Sequence, residues 1–298
     1  GKIIREISLI IEKYNPNLIV VHGDTLTTFA TTIAGFFKKI DVAHVEAGLR
    51  TNNIYSPWPE EANRRLTAVL AKYHFAPTKK SSQNLIKEGI NPERILITGN
   101  TIVDMVNKVT REIEVEGKDT GVFKKLDLIK DNKKIILVTC HRRENIGEGI
   151  KNICKAIIRI SQLKMNLEII IPVHHNPYIK NTIIEYLGNK NNINLIEPLD
   201  YFSFVNLMYH STLILTDSGG IQEEIFTLKK PALILRESSE REEIEKYESV
   251  KLVGASEEMI FNKAFEMLSN IEKYRNNFPV KNPYGDGKAS ERIYNFLK

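Results

Sequence analysis

The 298-residue sequence holds two cysteines and one tryptophan. No apolar run reaches the roughly 18 residues that a membrane-spanning helix needs. The cysteines, Cys140 and Cys154, are too few for a disulfide framework and have no metal-ligand spacing, which fits a reducing compartment. A signal-peptide pattern is missing as well, so the expected location is the cytoplasm, with no membrane partner. The net charge of +5 is small for this length, and no basic tail or arginine-rich helix occurs, which argues against a nucleic-acid partner. The seven histidines include no i, i+4 pair, and neither H-E-x-x-H nor D-x-D is present, so no metal site is expected. What is there is a soluble globular composition, 42% hydrophobic and 27% charged, in a chain long enough for two ordinary domains.

Apolar spacing along the chain alternates between helix and strand. KIIREISLIIEKY has helical spacing and NLIVVHGD reads as a buried strand. The pattern repeats through helix TLTTFATTIAGFFKK, strand VAHVEAG, helix PEEANRRLTAVLA, strand YHFAP, helix TKKSSQNLIKEG and strand RILITGN. The polar segment EIEVEGKDTGVFKKLDLIKDNKK breaks the rhythm and reads as the connection between domains. Strands KIILVTC, LEIIIPVH, INLIEP, LILTDSGG and PALILR follow, separated by helices, the first of them from about Gly147. A short strand VKLVG comes next, and NPYGDGKASERIYNFLK is a turn with a closing helix. This alternation predicts an α/β fold of two Rossmann-like domains with parallel, helix-covered sheets, their strand ends facing a shared cleft. The expected division is 1–115, 116–278, and a closing helix in 279–298 that packs back across the domain boundary. Because the chain opens in a helix, the first domain is expected to be incomplete at its N-terminus by roughly 60 to 75 residues, two βα units. A fold that starts with a helix is the alternative.

Ligands of open parallel sheets bind beyond the carboxyl ends of the strands. Those ends are His22-Gly23-Asp24, His44 to Arg50, Gly99-Asn100, Cys140 to Asn145, His174-His175 and Asp217 to Gly220. One strand-end histidine is more often a structural residue than a catalyst, but six such polar edges favour a site. LILTDSGGIQEE is the clearest ligand signal. The glycines of Ser218-Gly219-Gly220 let backbone N–H groups approach a phosphate, and the helix start adds partial positive charge. Glu224, one turn further, could accept from ribose hydroxyls; the bland reading is a tight turn with a solvated glutamate. The stretch lacks the Walker lysine, which disfavours nucleoside triphosphate hydrolysis. In HRREN, His141 could contact a phosphate or a reacting oxygen with Arg142 and Arg143 beside it, or the loop is simply a solvated basic one. HVEAGLRTNNIYSPWPEEANRR gathers carboxylates, cations and the tryptophan where a strand gives way to a helix. Pro59 suits the first helical turn, and Glu60 and Arg64, four apart, share a helix face either as a surface ion pair or as part of a site.

VHGDTLTTFATTIAGF, HVEAGLRTNNIYSPWPEEANRR, ILITGNTIVD, VTCHRREN, PVHHNP, LTDSGGIQEE and NPYGDGKAS together closely resemble the non-hydrolysing UDP-N-acetylglucosamine 2-epimerases, from about Asn17 to the C-terminus. The resemblance implies the glycosyltransferase-B architecture with UDP on the second domain, a UDP-sugar substrate and a homodimer, and neither nicotinamide nor metal. It implies interconversion of UDP-N-acetylglucosamine and UDP-N-acetylmannosamine for surface polysaccharide precursors. The family eliminates UDP across C1 and C2 to 2-acetamidoglucal, reprotonates C2 from the other face and returns UDP to C1. That chemistry requires separate carboxylates and preorganised positive charge around the diphosphate. Matched by position, Asp24, Glu46 and Glu60 stand for the catalytic carboxylates and His141 for the catalytic or phosphate-contacting histidine. Ser218, Gly219 and Gly220 stand for the diphosphate loop, Glu224 for the ribose carboxylate, Phe204 for a uracil contact, and Arg64 and Arg241 for further active-site cations. Arg142 and His174 fall where some bacterial members bind a second substrate molecule allosterically.

The pattern has departures. The family's N-terminal G-T-R-P-E loop is not in the sequence, so the 298-residue chain alone is expected to be inactive. Leu199 stands where a glutamine near the uracil is expected. RESSEREEIEKYESVKLVG replaces the usual Arg-Pro-Glu and a later glycine, which leaves the path of this loop and the contact of Arg241 open. The rival readings are a hydrolysing epimerase that releases N-acetylmannosamine, a UDP-sugar glycosyltransferase of the same architecture, and a non-catalytic UDP-sugar-binding protein.

Overall fold

A computed structural model of the chain describes residues 1–116, 121, 133–188 and 190–298. Two compact units are formed, Gly1–Asp104 with Lys281–Lys298, and Met105–Val280. In the first unit, strands β1 (Leu18–His22), β2 (Asp41–Val45), β3 (Tyr73–Ala76) and β4 (Ile95–Ile97) form a parallel sheet in that order. They alternate with helices α1 (Lys2–Tyr14), α2 (Leu26–Phe37), α3 (Glu60–Leu70) and α4 (Lys79–Lys87), and α5 (Thr101–Glu116) follows β4. Side-chain caps at Thr25 and Thr78 accept from Thr28 N and Ser81 N, which starts α2 and α4 directly after the strand-end turns.

The second unit holds β5 (Lys134–Thr139), β6 (Leu167–Pro172), β7 (Ile193–Ile196), β8 (Leu213–Thr216), β9 (Ala232–Ile234) and β10 (Val250–Leu252). All pairings are parallel, and the strand order is β10-β9-β8-β5-β6-β7. The chain builds outward from β5 and then restarts on its other side with β8, so the order reverses between β5 and β8. In such a sheet that is the ligand-binding position. Helices α6 (Glu148–Ser161), α7 (Pro177–Leu187), α8 (Tyr201–His210), α9 (Gly219–Leu228), α10 (Glu257–Ser269) and α11 (Ile271–Arg275) belong to this unit. Consecutive Ile135, Ile136, Leu137 and Val138 are all buried, as expected of a strand covered on both faces. On α6, Ile150, Ile153, Cys154, Ile157 and Ile160 form one apolar stripe in the same core cluster as Val138, Ile169, Ile171, Leu213 and Leu215. The closing helix α12 (Ala289–Leu297) packs in the first unit, where Ile293 joins Ala43, Val45 and Phe75.

The alternation of strands and helices is the one expected, with two differences. Thr101–Glu116 is a single helix, so the first residues of the polar segment extend α5 rather than begin a connection. The rest of that segment, apart from Gly121 and 133–134, lies outside the described residues. α10 and α11 are also helical although their polar residues mask the apolar spacing; Ile260, Ala264, Met267 and Leu268 supply the buried face. Both cysteines are buried free thiols. Among the described residues no helix is long and apolar enough to cross a membrane.

His44 and His74 occupy facing register positions on β2 and β3 and are both fully buried. Burial pushes their imidazoles down to about 3 and about 4. Each is therefore neutral in the folded chain and takes up a proton on unfolding below its ordinary value of 6.5. The stability they support is present above that pH and lost as pH falls toward 4, at up to about 1.4 kcal/mol per pH unit for each. Urea denaturation followed by circular dichroism should show stability falling steeply over this interval, and His74→Leu should flatten the fall. Equal slopes in the two proteins would contradict this assignment.

Candidate functional site

In the first unit the carboxylates gather beyond the ends of β1 and β2. Gly23 N donates to Val45 O at 3.0 Å, and buried His44 Nε2 lies 2.8 Å from Gly23 O, so the turn carrying Asp24 is tied to β2. Glu46 follows β2 directly with φ 66°, a left-handed conformation that non-glycine residues keep only where their surroundings enforce it. A Cβ on Gly23 would stand 3.2 Å from Glu46 Oε2, so the two turns are in contact. Arg64, on α3, donates to Asp24 Oδ2 through Nε at 3.1 Å and through Nη2, and its Nη1 donates to fully buried Glu61 at 3.1 Å. Asn63 Nδ2 donates to Asp24 O at 2.9 Å, and Asn100 Nδ2 donates to Glu46 Oε1 at 3.3 Å.

Asp24, Glu46 and Arg64 are thus brought together, whereas the Glu60–Arg64 ion pair does not form. Arg64 is taken by Asp24 and Glu61, and the half-buried Glu60 side chain has no hydrogen-bond or ion-pair partner among the described residues. The helix begins at Glu60, so Pro59 is its cap rather than part of its first turn. The peptide bonds Ser56-Pro57 and Trp58-Pro59 are both cis. Glu60 and Glu61 lie in the first turn, where the helix dipole favours negative charge.

In the second unit the polar groups gather where the strand order reverses. Thr139 and Thr216 close the adjacent strands with their hydroxyls 2.7 Å apart. The next residue of the second strand, Asp217, is fully buried. Its carboxylate accepts from the backbone N–H of His141 and of Arg142, at 2.9 and 2.8 Å, and from Asn145 Nδ2 at 3.0 Å. His141 Nδ1 lies 3.2 Å from the same carboxylate. HRREN is therefore anchored at His141, Arg142 and Asn145, while Arg143 and Glu144 are exposed. His141 stacks on His174 with ring centroids 5.6 Å apart, and burial holds its imidazole below the ordinary histidine range while Asp217 pulls the other way.

Ser218 is the N-cap of α9, which starts at Gly219. A Cβ on Gly219 would stand 2.8 Å from Glu240 Oε1, 2.9 Å from Arg241 Nη1 and 3.2 Å from Arg142 Nη2. Two guanidinium groups and the Glu240 carboxylate thus crowd the start of the helix, and the two cations with the helix N-terminus suit an anion. The segment beginning at Arg236 keeps Arg241 buried there despite its altered sequence. Ser239 Oγ donates to Gln222 Oε1 at 2.7 Å and accepts from Arg241 N at 3.1 Å. Arg241 Nε donates to Glu223 at 2.7 Å and Nη1 to Glu240 at 2.5 Å, and Arg236 bridges Glu144 and Glu240 at 3.0 Å each. Glu224 accepts from Tyr201 Oη at 2.9 Å; burial pushes its carboxyl up to about 7, opposed by Tyr201 and Arg241. Partly buried Phe204 lies one turn beyond Tyr201 on α8, with Leu199 just before that helix.

The sequence places Asp217, Asn145 and Asn100 on the ligand side of the strands without giving them a role and does not mark Tyr201 or Glu240, yet these hold the assigned residues in place. The available signal for Asp217 was an acidic residue ending an otherwise apolar strand, LILTD. Among the described residues, no group of three or more His, Cys, Asp or Glu side chains is placed to hold a metal ion.

Two all-parallel sheets, each with polar residues gathered at its strand ends, define an α/β protein of glycosyltransferase-B type. The family model for UDP-N-acetylglucosamine 2-epimerase matches residues 1–298. The UDP-N-acetylglucosamine 2-epimerase of Salmonella typhimurium is 45% identical over 298 residues, 100% of this chain and 79% of that protein. That of Campylobacter jejuni is 47% identical over 304 residues, 99% of this chain and 78% of that protein. A crystal structure of UDP-GlcNAc 2-epimerase from Neisseria meningitidis bound to UDP-GlcNAc matches with a TM-score of 0.95 at 44% identity, over 99% of this chain and 80% of that chain. The chain belongs to the UDP-N-acetylglucosamine 2-epimerase family.

Arg64 neutralises two carboxylates, one of them without solvent contact. Arg64→Met should therefore cost about 3–5 kcal/mol of unfolding free energy, because it strands Glu61 as an unpaired buried charge. Chemical denaturation at pH 7 measures this; a loss below about 1 kcal/mol would show that Glu61 does not depend on Arg64.

Proposed function

We propose that the protein interconverts UDP-N-acetylglucosamine and UDP-N-acetylmannosamine by eliminating UDP and adding it back. The observation that carries this reading is the convergence of Asp24, Glu46 and Asp24-bound Arg64 on one strand edge, in a chain that matches the epimerase family over its whole length. A carboxylate removes the C2 proton, the C2–H electron pair forms the C1–C2 double bond, and UDP leaves C1 with the electrons of the broken C1–O bond. The resulting 2-acetamidoglucal is reprotonated at C2 from the opposite face, and UDP re-adds to C1. The sequence is redox-neutral and moves only a proton and UDP. It needs separate acid and base groups, and Asp24, Glu46 and Glu60 are the three candidates.

The second unit receives the nucleotide. Backbone N–H groups at Gly219 and Gly220 and the guanidinium groups of Arg142 and Arg241 meet the diphosphate charge. His141, whose Nδ1 lies 3.2 Å from Asp217, contacts the departing phosphate oxygen. Glu224 accepts from the ribose hydroxyls and Phe204 packs on the uracil. A cytoplasmic homodimer is part of the same proposal, supported by the assembly common in the family and by the two buried free thiols.

Epimerisation by the full-length protein in D2O tests the mechanism, with deuterium expected at C2 of the product by NMR. A product that keeps its C2 proton would overturn the elimination, and release of free N-acetylmannosamine would mark a hydrolysing enzyme instead. Glu60→Gln should lower the rate of the chemical step by roughly 10²- to 10⁴-fold with UDP affinity nearly unchanged. A wild-type rate in that variant would restrict the acid–base pair to Asp24 and Glu46.

A further inference from the structure

We propose that Asn100 is a positioning residue for Glu46, orienting its carboxylate, and that the C-terminal turn at Tyr284-Gly285 holds Asn100 in place. The proposal rests on reading Glu46 as one of the catalytic carboxylates. Glu46 leaves the strand from a left-handed backbone, so its side chain cannot rely on strand geometry for its direction. One oxygen abuts Gly23, and the other accepts from Asn100 Nδ2 at 3.3 Å.

Asn100 is buried and all four of its polar groups are engaged. Its Oδ1 accepts from Ile102 N at 3.1 Å and its backbone O from Val103 N at 3.1 Å, which makes it the cap of the helix Thr101–Glu116. That bond decides which way the amide faces. With Oδ1 committed to an N–H, Nδ2 can only point toward Glu46. The remaining group, Asn100 N, donates to Tyr284 O at 2.7 Å.

The turn that supplies this carbonyl lies at the far end of the sequence and is built for close approach. Gly99 (φ +83°) and Gly285 (φ +122°) cross so tightly that a Cβ on Gly99 would stand 3.1 Å from Gly285 Cα, and one on Gly285 3.0 Å from Gly99 Cα. Both residues also adopt conformations that favour glycine. The turn is fastened on either side of the crossing. Asp104 accepts from Ala289 N at 3.0 Å and Ser290 N at 2.7 Å, and Arg292 donates to Thr98 O at 2.9 Å and to Asp286 at 2.7 Å. The chain from Tyr284 through Asn100 to Glu46 is therefore continuous.

A merely structural Asn100 would act as a helix cap, and Asn100→Asp separates the two roles. Aspartate caps as well as asparagine and leaves the backbone contact to Tyr284 intact, but it cannot donate to Glu46 and adds a like charge. Asn100→Ser keeps a capping oxygen without that charge, on a side chain too short to reach Glu46. In the enzyme, both variants should melt within a few degrees of wild type and bind UDP within about twofold of it. Their kcat should fall about 10- to 100-fold, the loss of a hydrogen bond to a charged group, and the acidic limb of the rate profile should move toward neutral pH. Glu46→Gln is measured alongside. If it is inactive while both Asn100 variants keep wild-type kcat and pH profile, the positioning role is overturned and the catalytic reading of Glu46 stands. If Glu46→Gln keeps the wild-type rate, the catalytic reading is overturned and the positioning role with it.

Discussion

A carboxylate with no solvent contact has to be neutralised or surrounded by donors, and Asp217 is surrounded. Its donors come from one loop, the backbone of His141 and Arg142 and the side chain of Asn145, and its own chain continues into Ser218 and Gly219. One buried charge therefore joins the two loops that leave the second sheet where its strand order reverses. The His141 loop depends on that junction for the orientation of His141 and the place of Arg142 beside Gly219 at the start of α9. The first unit uses the same device with the sign of the central charge reversed. There Arg64 is the buried ion, and Asp24 and Glu61 are the groups it fixes.

This dependence on buried charge explains how an altered loop can keep Arg241 buried and anchored. The segment after Arg236 lacks the family's usual Arg-Pro-Glu, yet Arg241 is buried against Glu223 and Glu240, and Ser239 is tied to Gln222. Two of the anchors, Glu223 and Gln222, lie on α9, and the third, Glu240, precedes Arg241 in the loop. A change of residue immediately after Arg241 leaves those partners untouched.

The strands were legible because a sheet covered on both faces demands apolar runs such as Ile135 to Val138 and Ile169 to Ile171. Helices on the surface were less so. Val103, Val106 and Val109 are buried at helical spacing on α5, but the charged residues from Arg111 onward make its last turns look like a linker. The site divides in the same way. Asp24, Glu46, His141 and the Ser218-Gly219-Gly220 loop stand out because they follow strands. Asp217 and Asn100 follow strands too, but their pairing with the His141 loop and with Glu46 joins residues distant in sequence, which local spacing does not reveal. Local spacing offers Arg64 the nearby Glu60, while the folded chain gives it Asp24, 40 residues away. The left-handed backbone of Glu46 and the crossing of Gly99 with Gly285 leave no local sequence mark beyond the glycines themselves.

Taken together, the two units rely on fixed charge held in place before substrate arrives, which is the condition for electrostatic stabilisation without reorganisation. Asp217→Asn tests this most directly, because it preserves shape and turns an acceptor toward a set of donors into a mixed amide. Calorimetric titration with UDP should show affinity at least about tenfold weaker in a variant that still unfolds cooperatively, since one N–H of the His141 loop loses its acceptor. Wild-type UDP affinity in folded Asp217→Asn would contradict the account: the nucleotide loops would then hold their geometry without the buried charge.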